Sequence, residues 1–411
     1  MKIIVQKYGG TSVANTVKIK AAAKRIANAY KKGNRVVVVV SALGHTTDEL
    51  VELCGQITDN PSRREMDMLL STGEQISTAL MSMALHELKV GAVSLTGFQV
   101  GIQTDSSHTK ARIQGIDIDR MQQELRKNKV VVVAGFQGVN ADKEITTLGR
   151  GGSDLTAVAL AKVLKADVCE IYTDVEGIFT TDPRIFKGAK KISKISYEEM
   201  LELAAAGAGV MQPRSIELAG KFDIPIHVRS SASSKTGTFI VKGDKSMEEV
   251  LVRGVSVTKN ESKITLVDVS DRPGVAGNIF RAIAKAGINV DMIVQNIGVT
   301  DKKTDISFTL PKEDLKDALK VISQFKPKIP REHIIEDKDV AKISIVGIGM
   351  RSHSGVAADM FEVLGKNKIN IDMISTSEIK ISCIVKKKDA DKAVKVLHQH
   401  FIKSGKQYVA V

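Results

Sequence analysis

Cysteine, tryptophan and long apolar runs are scarce or absent in this sequence. Among its 411 residues are three cysteines, Cys54, Cys169 and Cys383, and no tryptophan. Cysteines that are odd in number and far apart do not suggest a disulfide framework, so we expect a reducing environment. No segment approaches the roughly 18 consecutive apolar residues of a membrane span, and the amino terminus lacks the apolar core of a secretory signal. The sequence therefore predicts a cytoplasmic protein without membrane association.

Aromatic residues are also few. They make up 4% of the chain, although its net charge is +13. Surfaces that bind nucleic acid combine clustered basic residues with aromatic side chains that stack on bases. Here the excess of Lys and Arg is spread along the chain without a basic tail, which is typical of surface charge that serves solubility. We therefore expect no nucleic-acid partner.

The sequence lacks the motifs of the best-known ATP-dependent enzymes. It contains neither the GxxxxGK[ST] phosphate loop nor the HRD and DFG motifs of protein kinases. Of its eight histidines, three lie at positions 353, 398 and 400, inside the duplicated region described below. We expect no dedicated metal site there.

The amino-terminal part alternates short β-branched runs with helical patterns. Most of the runs are apolar on both faces, which is typical of parallel strands covered by helices on each side. The predicted strands are 3–8, 35–42, 90–95, 130–136, 167–173 and 224–230. Helical patterns lie between them at 16–33, where Gly33 is placed to end the helix, and at 153–166. Such βαβ units predict an α/β fold, a three-layer αβα sandwich with a mainly parallel sheet.

The carboxyl-terminal part contains an internal duplication. Residues 271–297 match residues 352–378 at a constant offset of 81, with ten identities in 27 positions and no gap. Each copy has the pattern of a strand, a helix that begins after a glycine, two strands and a charged helix (312–326 and 389–403). This βαββα pattern is ready to close as βαββαβ, and a period of this length favours two small domains over a solenoid.

One glycine-rich segment, Lys7-Tyr8-Gly9-Gly10-Thr11-Ser12, follows the first predicted strand. Without side chains at Gly9 and Gly10, backbone N–H groups can approach phosphate oxygens, and Lys7 adds positive charge. The alternative interpretation is a tight turn that requires positive φ at the glycines.

A second segment, Gly149-Arg150-Gly151-Gly152-Ser153-Asp154, precedes a predicted helix. Ser153 or Asp154 would cap that helix in any protein. A cap does not explain why an arginine lies between glycines at a helix start, where anions bind. Because a guanidinium can hold a carboxylate through two parallel hydrogen bonds, the segment favours an anionic substrate.

A third segment, residues 173–184, follows the strand predicted at 167–173 and contains the sequence TDVEGIFTTDPR. Its polar groups would lie at the carboxyl edge of the sheet, where nucleotides bind in open α/β folds. Together the three segments favour a nucleotide and an anionic substrate.

Six collinear segments resemble the aspartokinase branch of the amino-acid kinase family. They are KYGGTS (7–12), VVVSALGHTTDEL (38–50), LLSTGEQIS (69–77), LGRGGSD (148–154), YTDVEGIFTTDPR (172–184) and VRSS (228–231). The duplicated copies resemble tandem ACT domains, the amino-acid-sensing modules of these enzymes, above all in ISTSEIKISC (374–383). Several relatives have a lysine where this chain has Gly209, so we expect no nucleotide contact from residues 207–213.

The resemblance implies a domain organisation and an activity. A catalytic domain would cover residues 1–241, a linker and first regulatory strand 242–261, and two ACT domains 262–338 and 339–411. The reaction would transfer a phosphoryl group from MgATP to the β-carboxylate of L-aspartate. Its product, 4-phospho-L-aspartate, starts the pathways to lysine, diaminopimelate, threonine and methionine.

The resemblance also implies roles by position. Lys7 would stabilise the transferring group, Arg150 would grip a carboxylate, and Asp154 would orient the cationic groups. The residues expected around ATP are Lys7, Tyr8, Gly9, Gly10, Ser41, Ser153, Thr173, Asp174, Phe179, Asp182 and Arg184. The residues expected around aspartate are Thr47, Glu74, Arg150, Gly151, Gly152 and Ser153, with Glu74 favouring the ammonium group.

The chemistry agrees with such a site. A carboxylate is already ionised at pH 7, so its phosphorylation needs no general base. The barrier comes mainly from bringing two anions together in line, which positioning, cationic side chains and backbone N–H groups can lower. Mg²⁺ would arrive with the nucleotide.

Lysine, alone or jointly with threonine, is the expected inhibitor. Its contacts, by position in the ACT copies, would be Asp271, Gly274, Ala276, Gly277, Asn289, Asp291, Gln295, Asn370, Ile371, Thr376 and Glu378. Two alternatives remain. The chain could be another small-acid kinase of the same fold, or an inactive amino-acid sensor with ACT domains. The presence of Lys7, Glu74, Arg150 and Asp154 favours an active enzyme.

The ACT copies also suggest how chains assemble. Small domains with exposed sheet edges gain stability by pairing with another chain. We expect either a homo-oligomer or an α₂β₂ heterotetramer. In the second case the smaller chain, made of both ACT copies, would start near Met247, as in some relatives.

Overall fold

The computed structural model describes residues 1–243, 251–297, 303–325 and 329–403. The chain folds into two compact units. The first unit contains Met1–Phe179, Lys191–Ala204 and the segment that begins at Gly209. The second unit contains Thr180–Lys190, Ala205–Ala208 and the carboxyl-terminal part. Met247, the expected internal start, lies outside the described residues.

The first unit is built on β-strands from the amino-terminal part of the chain. They are β1 (Ile3–Tyr8), β2 (Arg35–Val40), β3 (Ala92–Leu95), β4 (Ile102–Thr104), β5 (Ile113–Ile116), β6 (Val130–Ala134), β7 (Gln137–Val139), β8 (Ile145–Thr147), β9 (Val168–Thr173), β10 (Lys194–Ser196), β11 (Ile226–Ser230) and β12 (Thr238–Val241). Eight of these form a sheet in the order β10-β12-β11-β9-β1-β2-β6-β3, in which neighbours run parallel except for β11 and β12. A second sheet has the order β5-β4-β7-β8.

Helices cover both faces of the large sheet. They are α1 (Thr16–Lys31), α2 (Thr46–Gly55), α3 (Arg63–Glu87), α4 (Gly97–Val100), α5 (Asp119–Arg126), α6 (Gly152–Val163), α7 (Tyr197–Ala205) and α8 (Pro213–Lys221). Val38 and Val40 of β2 pack into a core with α1 and α3. The intervening Val39 lies on the other face, near Ser153 of α6. These alternating contacts confirm the predicted α/β sandwich with its mainly parallel sheet.

Local sequence signals set the bounds of these elements. The Asn15 side chain accepts the Lys18 N–H at the start of α1, as an N-cap does. Just beyond the end of α1, Gly33 has φ +83°, a conformation that side chains disfavour, which confirms its predicted role. The strands predicted at 35–42 and 130–136 are two residues shorter in the structure, because their last residues turn into loops.

The second unit contains both ACT copies. Its elements are β13 (Gly254–Ser270), α9 (Val275–Lys285), β14 (Ile293–Ile297), β15 (Lys303–Pro311), α10 (Leu315–Ser323), β16 (Ile334–Val346), α11 (Val356–Lys366), β17 (Met373–Thr376), β18 (Lys380–Lys386) and α12 (Ala390–His398). The strands form one antiparallel sheet in the order β14-β15-β13-β16-β18-β17. The first strands of the two copies, β13 and β16, pair at its centre, so the copies share one sheet.

The duplication is visible in the backbone. Both α9 and α11 begin after a glycine in the left-handed region, Gly274 with φ +92° and Gly355 with φ +90°. Each copy has its own apolar core, one including Ile283 and Phe308 and the other Met360. The repeat detected in the sequence is therefore a repeat of structure.

The segment Thr180–Lys190 is part of the second unit although it lies within the amino-terminal part of the sequence. Its Thr180 Oγ1 hydrogen-bonds the buried His398 Nε2 at 2.7 Å, and its backbone carbonyl accepts the Val255 N–H at 2.8 Å. The Phe186 ring lies 4.8 Å from the His398 imidazole, and Ile185 packs against the second ACT core. Both hydrogen bonds and apolar contacts therefore hold the segment in that unit.

No helix in the described ranges combines the length and the apolar character that crossing a membrane requires. Cys54, Cys169 and Cys383 are all free thiols.

Candidate active site

The turn after β1 lies at the centre of the large sheet, between the ends of β2 and β9. The Gly9 N–H donates to the Tyr172 carbonyl, and the Gly44 N–H donates to the Gly10 carbonyl. Gly9 has φ −69°, and Gly10 does not have positive φ, so the alternative based on positive φ is wrong. A Cβ at Gly10 would lie 2.9 Å from the Ala42 carbonyl oxygen, so the close approach of the loop after β2 requires glycine there.

Lys7, the next-to-last residue of β1, forms a buried ion pair. Its Nζ lies 2.7 Å from Asp154 Oδ1, and the two side chains are 12% and 7% exposed. Asp154 lies in the first turn of α6, where the helix dipole favours a negative charge. The structure thus brings together two predicted catalytic residues that are far apart in sequence.

The expected capping role of Ser153 or Asp154 is wrong. The N-cap residue of α6 is Gly151, with φ +71°, and no side chain caps the helix. Ser153 is instead buried beside Gly135, where any Cβ would lie 2.7 Å from the Ser153 Oγ. Neither polar side chain is therefore occupied in capping the helix, and Asp154 pairs with Lys7 instead.

Glu74 lies on α3 beside the loop after β2. Its side chain is buried, and its Oε1 accepts the Ala42 N–H at 3.1 Å. Burial raises the Glu74 pKa to about 7, against the lowering effect of that hydrogen bond. Within the described part of the chain its Oε2 has no hydrogen-bond partner. An unpartnered, buried carboxylate oxygen is suited to accept an ammonium group.

Gly73 explains how Glu74 reaches this loop. A Cβ at Gly73 would lie 2.7 Å from the Ala42 Cβ, so only glycine lets α3 come this close. Ser41 begins the same loop, and its N–H donates to the Tyr8 carbonyl at 3.1 Å. Thr47 follows in the first turn of α2. The structure therefore clusters the predicted contacts Ser41, Thr47 and Glu74 around one loop.

Arg150 lies on a turn whose shape depends on its neighbours. Gly149 has φ +82° and Gly151 has φ +71°, both in the region that favours glycine. The Arg150 side chain is exposed, while its carbonyl accepts the Gln212 Nε2–H at 2.7 Å. The backbone of the turn is thus fixed and the guanidinium is available to a ligand. We call residues 148–152 the Arg150 turn.

No sequence motif indicates that residues 212–214 hold this turn. The Gln212 N–H points at Asp154 Oδ2 from 3.4 Å. Arg214 donates to the carbonyls of Leu148, at 2.9 Å, and Ala111, at 3.2 Å. The loop around Gly209, from which we expected no nucleotide contact, therefore leads into residues that support the Arg150 turn.

Thr173 ends β9, and Asp174 follows it at the same sheet edge. Thr173 Oγ1 donates to Asp174 Oδ1 at 3.0 Å, and the Thr173 carbonyl accepts the Ser231 N–H at 2.8 Å. Asp174 is exposed. Phe179 forms an antiparallel bridge with Lys191 at the end of this loop.

Asp182 and Arg184 are bound to each other in the second unit. The Arg184 Nη2 lies 2.7 Å from Asp182 Oδ2, and hydrogen bonding from Arg184 lowers the Asp182 pKa. Lys7, Ser41 and Thr173 belong to the first unit. The proposed contact of Asp182 and Arg184 with ATP stays a prediction.

The predicted effector residues lie at the helix start and near the second strand in the first ACT copy, and near the second strand in the second copy. Asp271, Gly274, Ala276 and Gly277 surround the start of α9, and Asn289, Asp291 and Gln295 lie before or on β14. In the second copy, Asn370 and Ile371 precede β17, Thr376 ends it, and Glu378 follows in the turn. Asp291 also pairs with the buried Lys342 of β16, a partner that no sequence motif indicated.

Family comparisons cover most of the chain. The sequence model of the amino acid kinase family matches residues 2–230, and that of the ACT domain matches residues 264–324 and 343–401. The two ACT matches coincide with the two copies of the duplication. Aspartokinase 2 of Bacillus subtilis is 50% identical over 401 residues, which are 98% of each chain.

Two solved structures of aspartokinase III from E. coli resemble this chain over nearly its whole length. The complex with aspartate and ADP (R-state) has a TM-score of 0.79 at 27% identity and covers 97% of this chain and 99% of its own. The complex with lysine and aspartate (T-state) has a TM-score of 0.76 at 27% identity, and the match covers 98% of this chain and 100% of the E. coli chain.

Proposed function

Since the chain belongs to the amino acid kinase family and is a kinase of its aspartokinase branch with tandem ACT domains, we propose that it phosphorylates the β-carboxylate of L-aspartate with MgATP. The product is 4-phospho-L-aspartate, the precursor of lysine, diaminopimelate, threonine and methionine. The observation that carries the proposal is the buried Lys7–Asp154 pair, which lies between a glycine-rich turn and the Arg150 turn. The complex of the E. coli enzyme with aspartate and ADP supports the proposal that this chain binds aspartate and an adenine nucleotide.

The residues divide the chemistry between them. Arg150 binds a carboxylate of aspartate, and Glu74 binds the ammonium through its unpartnered Oε2.

Gly9 and Gly10 let backbone N–H groups approach the ATP phosphates, with Ser41 and Thr173 nearby. Lys7 stabilises the charge that develops on the transferring phosphoryl group, while Asp154 fixes the position of its ammonium.

Mg²⁺ enters the proposal with the nucleotide. When bound, it would supply positive charge that offsets the negative charge of the phosphates. The exposed carboxylate of Asp174, at the sheet edge, is a suitable oxygen donor close to the expected phosphates.

The proposal is tested by following ATP consumption with candidate acids while trapping acyl phosphate with hydroxylamine. We expect hydroxamate from L-aspartate, and at most traces from L-glutamate or N-acetylglutamate. Hydroxamate from another acid in preference to aspartate would identify a different kinase of this fold. If none of the acids supported ATP consumption, the chain would be the inactive amino-acid sensor.

Glu74 gives the aspartate site a dependence on pH. Because its carboxylate must be ionised to bind an ammonium, and its pKa is about 7, lowering the pH protonates it and weakens binding. We expect KM for aspartate to rise roughly tenfold between pH 8 and pH 6. Glu74→Gln should show a high KM at both pH values, measured from initial rates. A steep pH dependence that survives in Glu74→Gln would contradict the assignment.

The raised pKa of Glu74 also makes the free energy of unfolding depend on pH. The folded state binds the Glu74 proton more tightly than the unfolded chain, whose pKa is near 4.5. Glu74 therefore makes the fold less stable as the pH rises from 4.5 through 7. Glu74→Gln should accordingly raise Tm at pH 8 and leave it nearly unchanged at pH 4.5.

Lysine, with or without threonine, inhibits by shifting a conformational equilibrium through the ACT copies. The lysine-bound T-state and ADP-bound R-state of the E. coli enzyme support two states. We expect Gly277→Leu and Thr376→Ile to raise the half-inhibitory lysine concentration at least tenfold, while kcat stays within twofold. A Cβ at Gly277 meets no atom within 4 Å, and Thr376 is exposed on an edge strand, so both positions have room for a side chain to begin without a clash.

Gly55 of α2 provides a matched control, because a Cβ there also meets no atom within 4 Å. Gly55→Leu should leave inhibition unchanged. Inhibition that is competitive with aspartate, and equally strong in Gly277→Leu and Thr376→Ile, would exclude this mechanism.

We further propose that the enzyme acts in the cytoplasm and associates through its ACT copies, with effector bound where ACT units meet. The assembly is a homo-oligomer or an α₂β₂ heterotetramer that contains a shorter chain from Met247. Intact mass spectrometry of untagged protein from the native host distinguishes them. A second species that begins at Met247 and is lost in Met247→Leu indicates the heterotetramer. A single full-length species excludes the heterotetramer.

A further inference from the structure

A buried carboxylate with no role in the proposed function lies behind the Arg150 turn. Asp67, in the second turn of α3, is 0% exposed. It accepts the His108 Nδ1–H at 2.7 Å and the Thr109 backbone N–H at 3.0 and 3.1 Å. It also accepts the Thr147 hydroxyl. Three donors from two distant chain segments therefore converge on one side chain of α3.

The first of these segments is held in an unfavourable conformation. Thr109 has φ +69°, which is a genuine outlier for a β-branched residue. Such a conformation persists only where the surroundings fix it, and here both oxygens of Asp67 receive the Thr109 N–H. The consequence reaches the Arg150 turn directly, because a Cβ at Gly149 would lie 3.3 Å from the Thr109 carbonyl oxygen. The Thr109 backbone thus packs directly against Gly149 of the turn.

The second segment is the strand that enters the turn. Thr147 is the last residue of β8, and Arg150 follows three residues later. The Thr147 hydroxyl is bound to Asp67, and its carbonyl accepts the Ala111 N–H at 2.9 Å. The residue before the turn is therefore fixed to α3 through Asp67, while the middle of the turn is held through the Arg150 carbonyl by Gln212, the N-cap residue of α8.

This connection joins the two halves of the proposed aspartate site. Asp67 and Glu74 lie on the same helix, seven residues or about two turns apart. Glu74 reaches the loop after β2, whereas Asp67 reaches Thr147, the residue just before the turn that presents Arg150. The rigid helix between them sets the distance between the group that binds ammonium and the group that binds carboxylate.

We propose that Asp67 is a positioning residue for aspartate, which holds the Arg150 turn at a fixed distance from Glu74 through Thr109 and Thr147. The proposal rests on the proposed function, because it assumes that Arg150 binds the substrate carboxylate. Asp67 itself touches no substrate. Its loss should therefore affect aspartate binding and leave the use of ATP unchanged.

Asp67→Asn and Thr147→Val test this through separate KM values for aspartate and ATP. Losing hydrogen bonds to a charged group should let the turn move, and we expect KM for aspartate to rise about tenfold. KM for ATP and kcat at saturating aspartate should stay within twofold. Thr147→Ser, which keeps the hydroxyl, should restore KM to within twofold of the wild type. Equal increases in both KM values, or no increase in that for aspartate, would overturn the proposal.

Glu124 supplies the matched control for losing a buried carboxylate. Its side chain is 2% exposed and pairs with Lys129 at 2.8 Å in the same unit. Glu124→Gln should lower Tm without raising KM for aspartate. An equal rise of KM in this variant would show that Asp67 acts only through general stability.

A double-mutant cycle shows whether Asp67 acts through Arg150. In an Arg150→Ala background, Asp67→Asn should change KM for aspartate less than twofold, because the turn no longer presents the guanidinium. Fully additive effects would reject this route. If Asp67→Asn does not fold, the same cycle with Thr147→Val decides the question. A wild-type enzyme that does not phosphorylate aspartate would refute the proposed function itself, a result distinct from every variant outcome above.

Discussion

Replacing Lys7 by methionine is expected to lower kcat at least a hundredfold, the largest effect of any single change considered for this enzyme. The Lys7 ammonium is the cation held by Asp154 beside the glycine-rich turn, at 2.7 Å from Oδ1. Removing one preorganised donor to a developing charge typically costs about a hundred- to a thousandfold in kcat. Initial rates at saturating aspartate and ATP measure it. Lys18, whose Nζ donates to the Thr11 carbonyl near the same turn, is the matched control, and Lys18→Met should keep kcat within twofold.

The loss of activity must be separated from a loss of stability. Lys7→Met leaves Asp154 buried without its cation, and breaking a buried pair in this way typically costs about 3–5 kcal/mol. Lys7→Met/Asp154→Asn removes both charges and should recover most of the lost Tm without recovering kcat. If the double variant regained activity together with stability, Lys7 would be a structural residue and not a catalytic one.

The parts of the fold that were predictable are those that depend on neighbouring residues. The buried valines of β2 and β6 have no polar face, so a parallel sheet covered on both sides follows from the sequence. Gly33 and the paired glycines Gly274 and Gly355 occupy the backbone conformations that their residue type favours. The duplication predicted two equivalent copies, although it did not reveal that β13 and β16 would join them in one sheet.

The parts that were missed depend on contacts between distant segments. Asp67 has no motif that distinguishes it from a surface aspartate at the start of a helix. Only the folded chain brings Thr147, 80 positions away, to its carboxylate. The segment Thr180–Lys190 begins within the predicted nucleotide segment 173–184, so sequence contiguity alone places its first residues in that loop. Its Thr180 and Phe186 find their partner, His398, more than 200 residues later.

Local capping rules failed at α6 for a physical reason. Ser153 and Asp154 are suitable N-cap residues, but Gly151 takes that place because the Arg150 turn needs positive φ on both sides of Arg150. Asp154 then enters the first turn of the helix, from which it reaches Lys7. The backbone conformation of the Arg150 turn and the Lys7–Asp154 pair thus override the capping preference of the local sequence.

Arg150→Ala is expected to raise KM for aspartate at least tenfold and to leave KM for ATP nearly unchanged. A lost charge-assisted contact with a carboxylate costs about 1.5–3 kcal/mol, or roughly ten- to a hundredfold in affinity. The structure makes this variant easy to interpret. The Arg150 side chain is exposed, and the turn is held through its backbone by Gln212, so Tm should stay within about 1 °C of the wild type.

Arg150→Lys keeps the charge and serves as the matched variant. A lysine ammonium cannot reproduce the two parallel hydrogen bonds of a guanidinium, so it should recover less than a third of the lost affinity. Full recovery by lysine would show that Arg150 acts only through its charge. Unchanged KM for aspartate in Arg150→Ala would remove Arg150 from the site. Because Asp67 is proposed to act only through Arg150, that result would also leave Asp67 as a residue of the fold alone.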